Sequence, residues 1–560
     1  MTPQSYAGHT ASSGIALGLA HVPDRPAAVP LPRRRALDPD KEAVDAFDAV
    51  AAGLANLAET LRDSGQPEQA DIMEVNGYLA QDPDLRGAAL RRVAHGVPVV
   101  IAVKQAVEEY ARAIAGLDDP TLAERATDVR QVGRRVLDHL HGTTSAAPDG
   151  PLVLLAEEVG AADLLELGSA VVAAASVLGG PNSHAAIVAR SLGIPLLLGI
   201  DPAFLDLPEG TEVVVDAHAA RIAVHPDRDQ RSLALAAMDV ARARRTALAA
   251  ERALPCQTLD RHTVILRANI ATTADAEAAL RCGADGVGLL RTELPFLEAV
   301  AWPTEAQHAA TLVPVLRKLQ GRPVTVRTLD YADDKLPPFL SNGTAARRLG
   351  RGLPLMLARP DAFAEQFRAI LTSGAGADVR ILIPMVASLD ELLSCRQILR
   401  ATAAGLGVAP PPLGAMIELP EAVTVADELA RESAFLSIGS NDLTCKLLGL
   451  DRRDPAATPA LTAHPKVLRA IREVVEAAHR HRRQVSVCGD AAAHPLVTPL
   501  LVGLGCDILS AAPAALDEVR ARIRRLDAES CAQAARDAVN SATVEDVWQI
   551  IEDRCLPRLP

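Results

Sequence analysis

Apolar residues recur every three or four positions in EAVDAFDAVAAGLANLAETL, where Val44, Phe47, Ala51, Leu54, Leu57 and Leu61 mark one face of an amphipathic helix. The same rhythm predicts helices at about 65–80, 84–115 and 120–140, and Pro120 after Asp119 suits a first helical turn. These four form a bundle or a pair of hairpins over 37–142. Ahead of them GIALGLAHV, about 14–22, reads as a short apolar strand followed by a Pro- and Arg-rich link. After them the pattern turns α/β: PLVLLAEEV, AVVAAAS, a helix from HAAIVARSLGI, PLLLG, then TEVVVDA and RIAVHP. The flanks 1–36 and 143–226 therefore read as one α/β domain carrying a helical insertion, and the Ala- and Arg-rich 227–260 reads as a linker helix.

Between 261 and 560 eight apolar strands alternate with helices: TVILRANI, DGVGLLR, PVTVRTLD, VRILIPMV, LGAMIEL, AFLSIGS, QVSVCGD and CDILSA. That count and span predict a TIM (β/α)8 barrel. Polar residues cluster where the strands finish: Arg291 with Glu293, Arg327 with Asp330, Glu418, Asn441 with Asp442, and Cys488 with Asp490. The C-terminal rim of such a barrel holds its active site, so the pattern predicts a single pocket.

Composition narrows the partners. A chain of 560 residues is too long for one core. With 57 basic against 70 acidic residues the net charge is -13, which argues against nucleic acid and anionic membrane. An anionic substrate would then require arginines concentrated locally. Aromatics at 2% leave the core to Ala, Leu, Val and Ile and argue against base-stacking platforms. Eight cysteines without a C-x-x-C pair read as reduced, mostly buried thiols. The first residues lack a charged stretch followed by an apolar core, and no window is long enough to span a bilayer. The expectation is a soluble, cytoplasmic protein with no membrane insertion.

The rim offers two kinds of useful group. Glu418 and Asp442, on different strands, form an oxygen site suited to Mg²⁺, which takes one or two carboxylates and completes its shell with water and phosphate. Arg291, Arg327 and Arg452 are planar forks for phosphate or carboxylate, and Lys335 supplies a point charge. This inventory suits phosphoryl transfer on a substrate bearing both anions. A second centre lies in GGPNSHAAIVAR, residues 179–190. His184 falls in the first turn of a helix, where free N–H groups and the helix dipole would stabilise a phosphate carried on its imidazole.

The stretch GGPNSHAAIVARSLGIPLLLG resembles the phosphohistidine signature of the phosphoenolpyruvate-utilising enzymes, with Asn182 where Thr is usual. GADGVGLLRTELPFL, VTVRTLDYADDKLPPFL, LGAMIELPEAVTVADELA, FLSIGSNDLTCKLLGLDRRDP, HPKVLRAIREVVEAAH and VSVCGDAAAHPLVTPLLVGLGCDILS resemble the barrel of Enzyme I of the bacterial phosphoenolpyruvate phosphotransferase system. The resemblance covers nearly the whole chain in one order. It implies a swivelling phosphohistidine α/β domain with an inserted helical bundle, followed by the barrel. It makes His184 the phosphorylated nucleophile, and places Arg291, Arg327, Arg351, Asn441 and Arg452 on substrate. It also places Glu418 and Asp442 on Mg²⁺, and gives Cys488 the protonation of the enolate as pyruvate forms. The helical insertion would dock a small phosphocarrier, HPr or a relative of it. Hinges near 20–40 and 225–260 would let the histidine travel, and the barrel would form a homodimer. A dikinase would carry an ATP-binding domain ahead of the histidine domain, and none is expected here.

Several positions depart from the family pattern. Besides Asn182, Ala332-Asp333 replaces a Gly pair, NGTAARRLG replaces Asn-Pro-x-Leu-Gly, and Pro354 stands where Arg is common. Thr444-Cys445-Lys446 replaces Thr-Gln-Tyr, and Asp490 replaces Glu. Asp333 adds repulsion near a phosphate site. These changes bear on rate and partner identity more than on reaction type. The rival reading is a regulatory paralogue that binds phosphoenolpyruvate or a phosphocarrier with little turnover. Joint retention of histidine, carboxylates, arginines and cysteine argues against it.

Overall fold

The structure, a computed structural model, describes residues 4–23, 38–63, 67–115, 120–141, 150–179, 184–297, 299–331, 336–341, 352–451 and 457–555. It divides into two units, Met1–Arg245 and Thr246–Pro560.

The first unit contains an eight-stranded sheet. Its strands are β1 (Gln4–Ala7), β2 (His9–Ser12), β3 (Ile15–His21), β4 (Leu152–Ala156), β5 (Val171–Ser176), β6 (Leu196–Leu198), β7 (Glu212–Asp216) and β8 (Arg221–Val224). They run in the order β1-β8-β7-β3-β4-β5-β6-β2. Each residue of β4, LVLLA, is buried, as expected of a strand covered on both faces. Leu154, Ala174 and Leu196 pack on one face beneath Ala186 and Val188, while Val153, Ala175, Leu197, Val213 and Ile222 form a second core on the other. The sequence reading missed β1 and β2. Both are four-residue edge strands, too polar to show an apolar alternation, and each pairs antiparallel with one neighbour, β8 or β6.

Between β3 and β4 the described residues form five helices: α1 (Pro39–Asp63), α2 (Pro67–Ala80), α3 (Pro83–Ala94), α4 (Val99–Ala115) and α5 (Pro120–His141). The expectation of four helices is corrected here, because 84–115 is two helices. Gly96 adopts φ +85°, a left-handed turn residue, and Pro98 begins the next segment. Phe47, Leu54, Met73, Leu85, Val103 and Val129 share one core. After β4 come α6 (Ala161–Leu167) and α7 (His184–Leu192). The linker helix α8 spans Arg228–Ala250 and stops ahead of Pro255, shorter than the 227–260 expected. Beyond it Arg252 grips Asp517 at 2.6–3.0 Å.

The second unit is a closed parallel barrel. Its strands are β9 (Ile265–Ile270), β10 (Val287–Leu290), β11 (Val324–Arg327), β12 (Val379–Ile383), β13 (Leu413–Ile417), β14 (Leu436–Gly439), β15 (Val485–Cys488) and β16 (Ile508–Ala511). β16 pairs with β9 to complete the ring. The α/β class and the TIM-type barrel expected from the strand pattern are what the chain adopts. Among the described residues no helix is long and apolar enough to cross a membrane.

A Cβ added at Gly503 would lie 2.1 Å from the carbonyl oxygen of Cys531, backbone against backbone. Replacing glycine by alanine gains up to about 1 kcal/mol of helix propensity. Overpacking costs roughly 1–3 kcal/mol and here requires two helices to separate. Gly503→Ala is therefore expected to lower the urea midpoint of the barrel's unfolding. His308, buried on the helix Glu305–Lys318, stacks edge-on to Phe296 at 4.9 Å. Burial holds its imidazole down at about 4, with Glu365 only partly opposing. A depressed folded-state value means stability that is present above the unfolded value of ~6.5 and lost as pH falls from there through about 4, on the order of 3 kcal/mol in all. His308→Leu should flatten that dependence in urea titrations made across the acid range.

Candidate functional site

Six of the sequence-predicted residues meet at the C-terminal mouth of the barrel. Arg291, Arg327, Glu418, Asn441, Asp442 and Cys488 line one cavity, together with Leu289, Met416, Gly439 and Gly489. Each arrives at the end of a strand. Arg291 follows β10, with its N–H donating to Ile270 O at 2.9 Å. Arg327 closes β11, Glu418 follows β13, and Gly439 and Cys488, partners in register, close β14 and β15. Asn441 and Asp442 lie in the first turn of the helix Ser440–Leu448.

Arg327 is buried and held by two carboxylates. Its Nη2 meets Glu293 Oε1 and its Nη1 lies 3.1 Å from Asp330 Oδ2. Burial acts to lower its proton affinity, but Glu293, Asp330 and Glu418 more than reverse that, so the guanidinium stays charged. Glu418 is in the opposite position. Burial first, then the like charges of Asp330 and Asp442, push its carboxyl up to about 8, with Arg327 and the Met385 N–H pulling the other way.

Backbone shape places Glu418. Met385 N–H donates to its Oε1 at 2.6 Å from a left-handed conformation, φ +54°, that costs a non-glycine residue roughly 1–3 kcal/mol. Gly439 leaves room for the other oxygen, since a Cβ there would lie 2.7 Å from Glu418 Oε2. Asn441 is fixed by a reciprocal pair of bonds, its Nδ2 donating to Asp490 Oδ2 at 3.1 Å and its Oδ1 accepting from Asp490 N–H at 3.2 Å. Cys488 Sγ lies 3.3 Å from Ser437 Oγ. Burial pushes this thiol up to about 11, against the Ser437 hydrogen bond and the charges of Arg327 and Arg291, so it is a neutral acid at neutral pH.

Among the described residues no group of three or more His, Cys, Asp or Glu side chains is placed to hold a metal ion. The mouth offers two carboxylates, Glu418 and Asp442, whose mutual repulsion a hard cation would relieve. That donor set fits a divalent ion that keeps most of its shell for water and substrate oxygens.

His184 opens α7 in the other unit, and its side chain lies outside the described residues. So do Lys335, Arg351 and Arg452, and the departures Asn182 and Asp333, as well as Asp119. Cys445 is buried and Lys446 exposed. The sequence reading gave no role to Gly439, Met385 or Ser437. Gly439 had a signal, a glycine at the last position of a strand in a rim otherwise rich in polar groups. Met385 and Ser437 had none, because neither a backbone N–H nor a serine inside an apolar strand stands out.

Three family profiles match the chain in succession. The PEP-utilising enzyme N-terminal domain matches residues 7–125, the mobile domain 148–220, and the PEP-binding domain 245–528. A multiphosphoryl transfer protein of Xanthomonas campestris pv. campestris is 36% identical over 96% of this chain and 66% of its own length. Another, from Rhodobacter capsulatus, is 37% identical over 88% of this chain and 61% of its own. The chain thus spans less than two thirds of these two relatives. A phosphoenolpyruvate-protein phosphotransferase of Bacillus sp. (strain S) is 31% identical over 97% of both chains. With three profiles matching in order and a 31% identical relative aligned over 97% of both chains, the chain belongs to the phosphoenolpyruvate-utilising enzyme family.

Proposed function

We propose that this chain takes the phosphoryl group of phosphoenolpyruvate onto His184, releases pyruvate, and passes the group to a histidine phosphocarrier protein resembling HPr, the first step of a sugar phosphotransferase system. The observation that carries the reading is the convergence of Arg291, Arg327, Glu418, Asn441, Asp442 and Cys488 in one mouth. A site for binding alone has no use for a proton donor beside its arginines and carboxylates. Residues 1–36 and 143–226 form the mobile phosphohistidine domain on this reading. Residues 37–142 receive the phosphocarrier, 227–260 link, and 261–560 bind substrate and pair two copies of the chain.

Arg291 and Arg327 hold phosphate and carboxylate oxygens, with Arg351 and Arg452 as further contacts taken from the family motif and Lys335 as an added point charge. Asn441, its amide fixed by Asp490, offers a donor to the same oxygens. Glu418 and Asp442 would hold Mg²⁺, which when bound would supply positive charge against the negative charge of the substrate. The His184 imidazole attacks phosphorus in line. The P–O bond to the enol oxygen breaks, and enolpyruvate leaves as the enolate. Cys488 gives its proton to the methylene carbon of that enolate, forming the methyl group of pyruvate. The thiolate left behind is stabilised by the Ser437 hydroxyl and by the nearby charges of Arg327 and Arg291.

The test is incubation of the purified chain with Mg²⁺ and phosphoenolpyruvate. Acid-labile phosphate on His184 and an equivalent of pyruvate are expected, with transfer onward when an HPr-type protein is added. His184→Ala should abolish both products, and undiminished pyruvate from that variant would refute the mechanism. Cys488→Ala should still phosphorylate His184. Its formation of pyruvate at the active site should fall about 100-fold or more, as loss of a general acid does. In D₂O its product should lose the facial selectivity of deuterium at the methyl carbon, read by chiral-methyl analysis of pyruvate made from stereospecifically labelled substrate.

A further inference from the structure

We propose that Gln366 is a positioning residue for this reaction, acting on Arg327 from outside the cavity. The proposal rests on the reading of the mouth given above. Gln366 belongs to the helix Pro360–Ser373, which follows β11, and its side chain is wholly buried. Its carboxamide is used at both ends. Nε2 donates to Thr292 Oγ1 at 3.0 Å, and Oε1 accepts from Leu329 N–H at 3.0 Å. The Thr292 hydroxyl in turn donates to the Arg327 carbonyl at 2.8 Å. Thr292, Arg327 and Leu329 are all buried as well, so no water stands ready to replace any of these bonds.

The closed set of bonds joins the two strand-end segments that build the anion side of the mouth. Thr292 lies between Arg291, which lines the cavity, and Glu293, which pairs with the Arg327 guanidinium. Leu329 lies between Arg327 and Asp330, the second partner of that guanidinium. One three-residue segment therefore grips Arg327 twice, at its carbonyl through Thr292 and at its guanidinium through Glu293. Gln366 fixes the rotor of that threonine and the path of the chain leaving β11. A carboxamide is the side chain that sets a donor and an acceptor side by side at this reach. Phe363 and Phe367 on the same helix stack at 4.5 Å, so the amide is presented by a rigid element.

The experiment measures steady-state pyruvate release against phosphoenolpyruvate concentration with the 560-residue chain, Mg²⁺ and an excess of an HPr-type acceptor that clears phosphate from His184, at a temperature well below each variant's unfolding midpoint. Gln366→Met keeps the volume and loses both hydrogen bonds. Its kcat should fall about tenfold while KM changes far less, because Arg327 acts on charge that develops in the transition state. Thr292→Val should behave alike, and the double variant should be no worse than the poorer single one. Gln366→Glu can donate to Thr292 only when neutral, so its activity relative to the parent should climb as pH falls from about 8 to about 6. Should Gln366→Met fold poorly, Thr292→Val and Gln366→Glu decide the matter by themselves. Parental kcat in these variants, with only a lower melting temperature, would overturn the proposal and leave Gln366 a packing residue. A parent chain yielding neither pyruvate nor phosphohistidine would sink the reading of the reaction itself, and the proposal with it.

Discussion

A guanidinium taken out of water is the constraint around which the barrel mouth is arranged. Arg327 sits at 4% exposure, where an isolated charge would cost several kcal/mol. Glu293 and Asp330 offset that cost by direct contact, and Glu418 adds attraction from across the mouth. The arrangement then overshoots, because the carboxylates of Glu293, Asp330, Glu418 and Asp442 outnumber the guanidiniums of Arg327 and Arg291. Glu418, buried beside Asp330 and Asp442, holds its proton up to about 8. A fixed positive charge bordered by surplus negative charge is half of a complete site. A divalent cation and a phosphate ester would supply the missing charges of both signs, into dipoles already oriented to receive them.

Long polar side chains fit into so narrow a mouth because the surrounding positions are small. A Cβ at Gly439 would strike Glu418, and one at Gly489 would lie 2.3 Å from Ser440 Oγ. Lower in the lumen a Cβ at Gly288 would lie 2.3 Å from Ser510 Oγ, and one at Gly414 would meet the Phe435 ring at 2.5 Å. A chain with 2% aromatic residues builds its core from small aliphatics, and the same economy of volume lets the strand ends approach closely enough to share one carboxylate or one thiol. Gly439 and Cys488 face each other in register for this reason, which brings the Glu418 carboxylate and the thiol under the influence of the same arginine.

The barrel and its rim were legible in the sequence because parallel strands covered on both faces read as unbroken apolar runs, and a polar residue at the end of such a run stands out. The edge strands β1 and β2 leave no such trace, since one neighbour and a solvent-facing side impose no alternation. The break between α3 and α4 was written in Gly96-Val97-Pro98 and was outweighed by the helical rhythm on either side. Buried polar residues are hardest to read. Gln366 passes for a surface glutamine until its spacing is noticed: Phe363, Gln366, Phe367 and Ile370 fall at one, four, five and eight, so the amide lies on the apolar face of its helix and must find partners there. His308 keeps neither ring nitrogen hydrogen-bonded and remains neutral instead. The left-handed backbone of Met385 has no signature in residue type at all.

One departure from the family pattern is compensated by the backbone. Asp490 stands where a longer Glu is customary, and a side chain shortened by one methylene would be expected to let go of whatever it held. Here the aspartate still reaches Asn441 Nδ2 at 3.1 Å, and the backbone N–H of the same residue returns a bond to Asn441 Oδ1 at 3.2 Å. Gly489, at φ +140°, is what turns the chain so that both groups of residue 490 face the amide. Because one bond comes from the main chain, the orientation of Asn441 depends on the turn more than on side-chain length. The substitution therefore alters the reach of the carboxylate while leaving the amide of Asn441 held at both its nitrogen and its oxygen.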